Sequence, residues 1–268
     1  MQSTHNKDIS SFAILIVTHN HAPHISKLIS SCRNVSHIPI YICDAASTDD
    51  TYEQLQREIN GNTSFHLTRK NRLESFSKNN NDLIRKHSLQ GKNIILINPD
   101  CYFEKSAFEN FITQVGLVSE IGVAAPLLHY PDGSIQVSWR KFPTLTAFLK
   151  NRFKKTESIN NHYLNEIKSN IFEIEWALGA FLFISSKLTN TPPLDERYRL
   201  YCEDSDICMQ AHAKNLRVVG IKTVGIHHAL QERSTKSPLS KYNYWNFSSG
   251  IKFAIKWNRR YIQNISQK

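Results

Sequence analysis

The chain has 268 residues, which is enough for one large or two small domains with a sizeable buried core. Hydrophobic residues make up 40% and charged residues 21% of the sequence, a balance typical of globular proteins that excludes disordered, collagen-like and low-complexity chains. The formal net charge of +10 indicates an anionic partner, which is a nucleic acid, a phosphorylated small molecule or an acidic membrane.

The first 120 residues alternate between apolar runs of strand length and apolar stripes of helical spacing. Residues 12–17, 38–43 and 93–97 are runs typical of strands that are buried on both faces. Apolar residues that recur at helical spacing predict helices around residues 25–32, 52–59, 77–89 and 108–115. This alternation predicts an α/β domain with a mostly parallel central sheet flanked by helices.

The pattern changes after about residue 120. Residues 123–127, 135–139 and 181–184 predict shorter strands separated by loops, and residues 218–226 predict a last strand. The segment 140–173 contains several basic residues and no clear strand pattern, so we expect a helical insertion or a mobile lid there.

Hydropathy and cysteine usage favour a cytoplasmic protein. No apolar run approaches the roughly 20 residues that a membrane-spanning helix needs, and the polar first eleven residues do not look like a secretory signal. The five cysteines are odd in number and form no CxxC pair, which argues against a disulfide framework and against a zinc knuckle.

The positive charge is concentrated in the C-terminal residues 233–268. This segment has eight Lys and Arg residues and no Asp or Glu. Residues 1–232 have the other 25 basic residues and all 23 acidic ones, so the rest of the chain is nearly neutral. On a helix, Lys252 and Lys256 would lie opposite an apolar face that includes Ile251 and Trp257. We therefore divide the chain into a domain of residues 1–232 and a basic, aromatic, amphipathic helical tail of residues 233–268.

Two interpretations of this tail remain open. Its basic and aromatic faces suit contact with an anionic membrane surface, and they equally suit a helix that packs on the domain with a solvated basic side. No nucleic-acid-binding motif accompanies the basic patch, so nucleic acid is not an expected partner.

Acidic residues follow the second and third predicted strands. In an open α/β sheet ligands bind beyond the carboxyl ends of the strands, where Asp44 and Asp100 fall. Asp44 could accept an N–H of a nucleobase, and Asp100 could hold Mg²⁺ or Mn²⁺ against a diphosphate. The alternatives are a helix start for the Asp44 segment and a simple turn for Asn98-Pro99-Asp100.

A third acidic cluster opens a predicted helix. Glu203, Asp204 and Asp206 would repel one another, which raises at least one pKa and favours a general base or a metal site. The alternative is that these carboxylates only complement the helix dipole. A histidine of the pair His227-His228, at the end of the last predicted strand, could reach the same site.

The order of these segments resembles the family 2 glycosyltransferases of the GT-A fold, and within them the bacterial rhamnosyltransferase-like branch. The resemblance covers roughly residues 12–230. It rests on segments 17–20, 44–51, 98–100, 135–144, 176–180, 194–198 and 203–206.

The resemblance implies an inverting, metal-dependent transferase with Mg²⁺ or Mn²⁺ as cofactor. It would move a sugar such as rhamnose from a nucleotide-diphosphate donor to a saccharide acceptor during surface polysaccharide synthesis. A polyprenyl-diphosphate-linked saccharide is one such acceptor, and it would place the protein peripherally at the inner face of the cytoplasmic membrane.

The resemblance also implies roles for individual residues. Asp204 would be the catalytic base with Glu203 beside it, and Asp100 and His227 would contact the metal. The nucleotide and donor contacts would be Thr18, Asn20, Asp44, Ser47, Asn98, Gly179 and Ala180. The acceptor contacts would be Trp139, Arg140 and Trp176.

Two other functions are compatible with the same architecture. A non-catalytic nucleotide-sugar-binding protein is one, because Ala45 and Asn98 depart from the family pattern. A sugar nucleotidyltransferase is the other, although the loop 18–23 after the first strand lacks the glycines expected of a phosphate-binding loop.

Overall fold

A computed structural model describes residues 11–142, 169–229 and 241–257. Its strands are β1 (Phe12–Thr18), β2 (Ile40–Ala45), β3 (Phe65–Lys70), β4 (Asn93–Ile97), β5 (Cys101–Phe103), β6 (Ile121–Pro126), β7 (Trp139–Arg140), β8 (Ile171–Glu173), β9 (Trp176–Ala177), β10 (Phe181–Ile184), β11 (Arg217–Ile221) and β12 (Ile226–His228). Its α-helices are α1 (Ala22–Arg33), α2 (Thr51–Ile59), α3 (Phe76–Lys86), α4 (Lys105–Leu117), α5 (Glu203–Ala213) and α6 (Lys241–Lys256).

Eight strands form the central sheet in the order β3-β2-β1-β4-β10-β6-β11-β8. The pairs β1–β2, β1–β4, β2–β3 and β6–β11 are parallel, whereas β10 runs antiparallel between β4 and β6. Every residue of β1 is buried, because helices cover both faces of the sheet and the strand must be apolar throughout. The predicted mostly parallel α/β architecture is confirmed.

Two hydrophobic clusters lie on opposite faces of the sheet. Alternate side chains of β1 divide between them, with Ile14 and Ile16 in the cluster that includes α1 and α4. Leu15 joins the other cluster with side chains of α3 and α5, including Leu83 and Ile207. The sheet is therefore packed between helices on both faces.

The structure corrects three strand predictions. β3 was not predicted, because this edge strand has the sequence FHLTRK and only Phe65 is fully buried. The predicted strand 135–139 reduces to an isolated bridge at Ile135 and the two-residue β7. The predicted strand 218–226 is two strands, β11 and β12, separated by a turn in which Gly225 has a φ of +95°.

The C-terminal helix α6 packs on the domain through one of its faces. Phe253 and Trp257 join the cluster on the α3 and α5 side of the sheet. Lys252 and Lys256 also point toward the domain, and Ile251 and Ile255 are exposed. The predicted division into a solvated basic face and an opposite apolar face is thus wrong here, because the Arg197 carbonyl and the buried Asp206 carboxylate attract the lysines.

Two predictions fall largely or partly outside the described residues. Of the predicted insertion 140–173, residues 143–168 lie outside them. Of the predicted tail 233–268, residues 233–240 and 258–268 also lie outside the described residues. Among the residues that the structure describes, no helix is both long and apolar enough to traverse a bilayer.

Candidate active site

The parallel strands β1 and β2 bring Thr18 and Asp44 side by side at the carboxyl edge of the sheet. The two residues are in register and both are fully buried. The Asp44 carboxylate accepts hydrogen bonds from Thr18 Oγ1 (3.1 Å) and from the backbone N–H of Ser47 (3.2 Å), and the Ser47 hydroxyl also donates to it. A carboxylate has about four acceptor positions, so Asp44 retains capacity for one further donor.

Asn20 links the loop after β1 to the loop after β2. Its backbone N–H donates to Ser47 Oγ (3.0 Å), and its side-chain Oδ1 accepts from the backbone N–H of Thr48 (2.8 Å). Asn20 and Ala46 both have a φ of +56°, a left-handed conformation that costs free energy for residues other than glycine. The loops after β1 and β2 are therefore fastened to each other around Asp44.

The turn Asn98-Pro99-Asp100 follows β4 at the same edge. The backbone N–H of Asn98 donates to the carbonyl of Ala180 (2.8 Å), which ties the turn to β10. Asp100 is only 6% exposed, and its Oδ1 lies 3.3 Å from Nε2 of His228. Burial alone would raise the pKa of Asp100, but the hydrogen bond and charge of His228 lower it to about 2.

The histidine that faces Asp100 is His228, and not the predicted His227. Successive side chains of a strand point to opposite sides, so β12 can turn only one of this pair toward Asp100. The His227 ring stacks on Tyr102 instead, with ring centroids 4.8 Å apart, and its Nδ1 faces the Tyr130 carbonyl at 3.2 Å. His228, and not His227, is thus the histidine that could hold a cation together with Asp100.

The residues around Asp100 fit a divalent cation. Ligand atoms of Asp100, Cys101 and His228 all lie within 4.8 Å of one another and are buried. Nδ1 of His228 lies 2.9 Å from Oε1 of Gln136, so a cation that displaced the proton between Nε2 and Asp100 would find Nε2 free to bind it while Nδ1–H donates to Gln136. Burial raises the pKa of Cys101 well above its usual value, so this thiol stays protonated and donates to the Ala180 carbonyl. A carboxylate oxygen and an imidazole nitrogen thus remain as ligands.

Helix α5 presents Asp204 from its first turn. Oδ2 of Asp204 accepts the backbone N–H of Gly179 (3.1 Å), and Oδ1 accepts that of Ser205 (2.8 Å). Burial raises the pKa of Asp204, while these two hydrogen bonds and the charge of Arg140 oppose the increase. A Cβ on Gly179 would lie 3.1 Å from the Cβ of Asp204, a tight contact that favours a glycine at this position.

Glu203 lies next to Asp204 and is held in its neutral form. Burial, and then the charge of Asp204, raise the pKa of Glu203 to about 8. Its Oε2 is buried and has no hydrogen-bond partner within the described residues. The two residues that precede α5, Tyr201 and Cys202, both have a φ of +71°, which is strained for side chains of this size.

Gly179 and Ala180 connect the two acidic centres. Gly179 donates to Asp204, and the carbonyl of the next residue, Ala180, accepts from Asn98 and Cys101 on either side of Asp100. The structure therefore brings Asp100 and Asp204 to opposite sides of one dipeptide. Because Asp44 lies at the same edge of the sheet, the three predicted aspartates share one region of the molecule.

The predicted acceptor contacts separate into two groups. Trp139 is fully buried, donates from Nε1 to the Pro126 carbonyl, and covers Gly220 so closely that a Cβ there would lie 2.6 Å from its ring. Trp139 is thus a core residue, and the prediction that it contacts an acceptor is wrong. Arg140 and Trp176 are partly exposed, with the guanidinium 5.5 Å from the centre of the indole ring.

Sequence reasoning missed the role of Gln136, which orients His228. Gln136 is 2% exposed and lies in a loop, and the strand pattern of residues 135–139 gave no sign of its contact with a histidine. His228 itself could have been preferred to His227 had the strand end been known, because the alternation of side chains decides which ring faces the edge.

Comparison with known proteins shows similarity at the levels of sequence and fold. The family model described as glycosyl transferase family 2 matches residues 13–172, which is more than half of the chain. A protein of Escherichia coli (strain K12) described as rhamnosyltransferase WbbL is 23% identical over 265 residues, or 94% of each chain.

Solved structures share the fold at low sequence identity. A structure of GalNAc-T7 with UDP, GalNAc and Mn²⁺ matches with a TM-score of 0.67 and 14% identity over 94% of this chain and 49% of that chain. The mannosyltransferase PcManGT from Pyrobaculum calidifontis, in complex with GDP-Man and Mn²⁺, matches with a TM-score of 0.56 and 13% identity over 89% of this chain and 60% of that one. The chain therefore spans about half to three fifths of these solved structures. The shared architecture is the GT-A fold, which confirms the predicted fold class.

Proposed function

Because the chain belongs to glycosyltransferase family 2, we propose that it is an inverting enzyme that transfers a sugar from a nucleotide-diphosphate donor to a hydroxyl group of a saccharide acceptor. One observation carries this proposal: the dipeptide Gly179-Ala180 joins the carboxylate of Asp204 to the Asp100 turn. A candidate base and a candidate metal site are thus neighbours, as a transfer reaction on a diphosphate-linked sugar requires.

The donor nucleotide would bind over the ends of β1 and β2. Asp44 is fixed by Thr18 and Ser47 and can accept one further N–H, which a nucleobase can provide. Asn98 and the backbone of Gly179 and Ala180 would border the donor sugar, since they lie between Asp100 and Asp204.

The diphosphate would bind at Asp100 and His228. These two residues would hold Mg²⁺ or Mn²⁺, and the bound cation would offset the negative charge that develops on the leaving diphosphate. Gln136 keeps the His228 ring turned toward Asp100. The solved structures of GalNAc-T7 and PcManGT contain Mn²⁺, which favours the same type of ion here.

Asp204 would act as the general base. The acceptor oxygen forms a bond to the anomeric carbon while the bond from that carbon to the diphosphate oxygen breaks. The acceptor proton moves to a carboxylate oxygen of Asp204, and the nucleoside diphosphate leaves. Attack on the face opposite the leaving group inverts the anomeric centre. Arg140 and Trp176 would border the acceptor, because the charge of Arg140 acts on Asp204.

We further propose rhamnose as the donor sugar and a lipid-linked saccharide as the acceptor. The relative from Escherichia coli described as a rhamnosyltransferase favours the sugar. The outward side of α6 carries exposed Tyr244, Ile251 and Ile255, an apolar stripe suited to a membrane surface that holds such an acceptor. The enzyme would then act peripherally at the inner face of the cytoplasmic membrane.

A donor screen followed by a transfer assay tests the proposal. Nucleotide sugars, including a deoxythymidine-diphosphate rhamnose, are tested by thermal shift with and without Mn²⁺, since a bound donor raises apparent stability. We expect one class of donor to stabilise the protein, and that donor to release its nucleoside diphosphate when an acceptor saccharide is added. Binding without any transfer would favour the non-catalytic binding protein instead.

A further inference from the structure

Asp206 is a buried carboxylate for which the proposed transfer has no use. It is fully buried in the first turn of α5, two residues after Asp204. Two residues correspond to a rotation of about 200° around a helix, so Asp204 and Asp206 point to opposite sides of the same turn. Asp204 faces Gly179, and Asp206 faces the C-terminal helix α6.

Four side chains donate hydrogen bonds to Asp206. Oδ1 accepts from the Tyr198 hydroxyl (3.0 Å) and from Nε1 of Trp257 (2.7 Å), and Oδ2 accepts from Nε2 of Gln210 (2.8 Å) and from Nζ of Lys256 (2.7 Å). The hydrogen bond from the Lys256 ammonium to this buried carboxylate is charge-assisted, and such bonds are stronger than neutral ones. Two of the four donors come from the C-terminal helix and the residue after it, some 50 positions along the chain.

The same helix fastens the loop that leads into α5. Lys252 Nζ donates to the Arg197 carbonyl (2.7 Å), Lys256 Nζ also reaches Asp195 (2.9 Å), and the Ser249 hydroxyl donates to the Leu200 carbonyl (2.9 Å). These contacts run along the loop as far as the strained residues 201 and 202. Strained backbone persists only where its surroundings hold it in place, and the contacts of α6 hold the loop up to Leu200, the residue before this strained pair.

We propose that Lys256 and Asp206 are positioning residues for the proposed base: α6 holds the first turn of α5 so that Asp204 meets the backbone N–H of Gly179. The expected effect on catalysis rests on the proposed function, whereas the expected effect on the contact between Asp204 and Gly179 does not. Lys256 also neutralises one of the three carboxylates in a single helical turn, which limits their mutual repulsion. The charged or titratable groups around Asp204 are Glu203, Cys202, Asp206 and Cys208 on α5 or at its start, Arg140 on β7 and, through Asp206, Lys256 on α6.

The decisive variant is Lys256→Met, which keeps most of the side-chain length and removes the charge. Lys105→Met is the matched control, because Lys105 also lies beside a carboxylate, that of Glu109, but on the exposed side of α4 and not on α6. Lys256→Arg is the rescue variant. Amide hydrogen exchange at Gly179 is the first readout, since the Asp204 carboxylate protects this N–H.

In Lys256→Met we expect faster exchange at Gly179, and in Lys105→Met and Lys256→Arg exchange close to that of the wild type. We also expect kcat to fall about 10-fold to 100-fold in Lys256→Met, with the donor KM unchanged. The acid limb of the kcat profile should move to higher pH, because an unneutralised Asp206 disfavours ionisation of Asp204.

Exchange at Gly179 that is as slow in Lys256→Met as in the wild type would overturn the inference. If Lys256→Met does not fold, Trp257→Phe replaces it, because this variant removes a single hydrogen bond to Asp206. Faster exchange at Gly179 in Trp257→Phe supports the inference, and unchanged exchange overturns it. If the wild type transfers no sugar, the proposed function fails, and the exchange measurement still decides whether α6 positions Asp204.

Discussion

Asp204 is the side chain on which the proposed proton transfer depends. Its two oxygens accept the backbone N–H groups of Gly179 and Ser205, and an Asn side chain of the same shape keeps one of these two acceptors. We expect Asp204→Asn to fold, to bind the donor, and to lose about 10²-fold to 10⁴-fold in kcat, the usual contribution of a general base.

Steady-state kinetics and donor titration of this variant provide the check. Asp132→Asn is the control, because Asp132 lies in an exposed turn and bonds to Ser134. Near-normal turnover of Asp204→Asn would mean that another group removes the acceptor proton.

Glu203 makes stability depend on pH in a predictable direction. Its pKa is raised to about 8 in the folded protein, above its value of 4.5 as a free side chain, so the folded state holds an extra proton between these values. The contribution of this group to stability is therefore lost progressively as the pH rises from about 4.5 to about 8.

Glu203→Gln should remove this loss, because glutamine resembles the protonated acid and does not ionise. The quantity to compare is the Tm of Glu203→Gln minus the Tm of the wild type. We expect this difference to be larger at pH 8 than at pH 5 by at least about 2 °C. Glu109→Gln, on the exposed side of α4, is the control for a general charge effect. Equal pH dependence of the wild type and Glu203→Gln would show that Glu203 ionises normally.

Gln136 orients the imidazole of the candidate metal site. Its Nε2 is buried and unpaired within the described residues, so Gln136→Leu removes an unsatisfied donor as well as the acceptor for His228. We expect the variant to fold and its affinity for Mn²⁺ to fall about 10-fold to 100-fold.

A calorimetric titration of the protein with Mn²⁺, in the absence of substrates, measures that affinity directly. Gln56→Leu, on the exposed side of α2, is the matched control. Equal Mn²⁺ affinity in Gln136→Leu and the control would remove Gln136 from the site.

At the residue scale, the carboxylates of the candidate site could be predicted from the sequence, whereas the side chains that contact them could not. Asp44 and Asp100 follow strands, and strand ends are recognisable from apolar runs. The choice between His227 and His228 depends on which side of a strand faces the site, and Gln136 acts from a loop. Both need the three-dimensional structure.

At the scale of elements, α6 has two sides with different surroundings. Lys256 and Trp257 bind the domain, so deleting the helix would disturb the fold as well as any membrane contact. Ile251 and Ile255 are 44% and 77% exposed and can be changed without loss of those contacts.

We expect the double variant Ile251→Ser, Ile255→Ser to bind vesicles rich in phosphatidylglycerol at least about 10-fold more weakly than the wild type. Each buried aliphatic side chain contributes about 1.5–3 kcal/mol, and about 1.4 kcal/mol is a factor of ten in affinity. Vesicle co-sedimentation measures binding, and Leu117→Ser, at an exposed apolar position at the end of α4, is the control. Unchanged vesicle binding of the double variant would exclude this stripe as the membrane contact.

Element prediction succeeded where burial imposes a pattern. β1, β2 and β4 are buried on both faces, and their apolar runs predicted them from the sequence. β3 lies at the edge of the sheet and β7 has two residues, so neither leaves an apolar pattern of its own. The faces of α6 were assigned wrongly, because the sequence alone does not distinguish a lysine that binds a buried carboxylate from a lysine that faces solvent.

At the scale of the whole molecule, the carboxyl edge of one sheet collects groups that are distant in sequence. β1, β2 and β4 bring Asp44 and Asp100 to this edge, and the dipeptide after β9 links it to Asp204 on α5. The resemblance found in the sequence predicted that these groups would lie together, because the segments that carry it lie at strand ends or at the start of a helix beside the sheet.

A crystal structure with Mn²⁺ and the nucleoside diphosphate of the donor tests this account most directly. We predict anomalous scattering from Mn²⁺ between Asp100 and His228, the base in hydrogen-bonding contact with Asp44, and the diphosphate ending beside Gly179 and Asp204. Mn²⁺ bound away from Asp100, or a base bound away from Asp44, would contradict it.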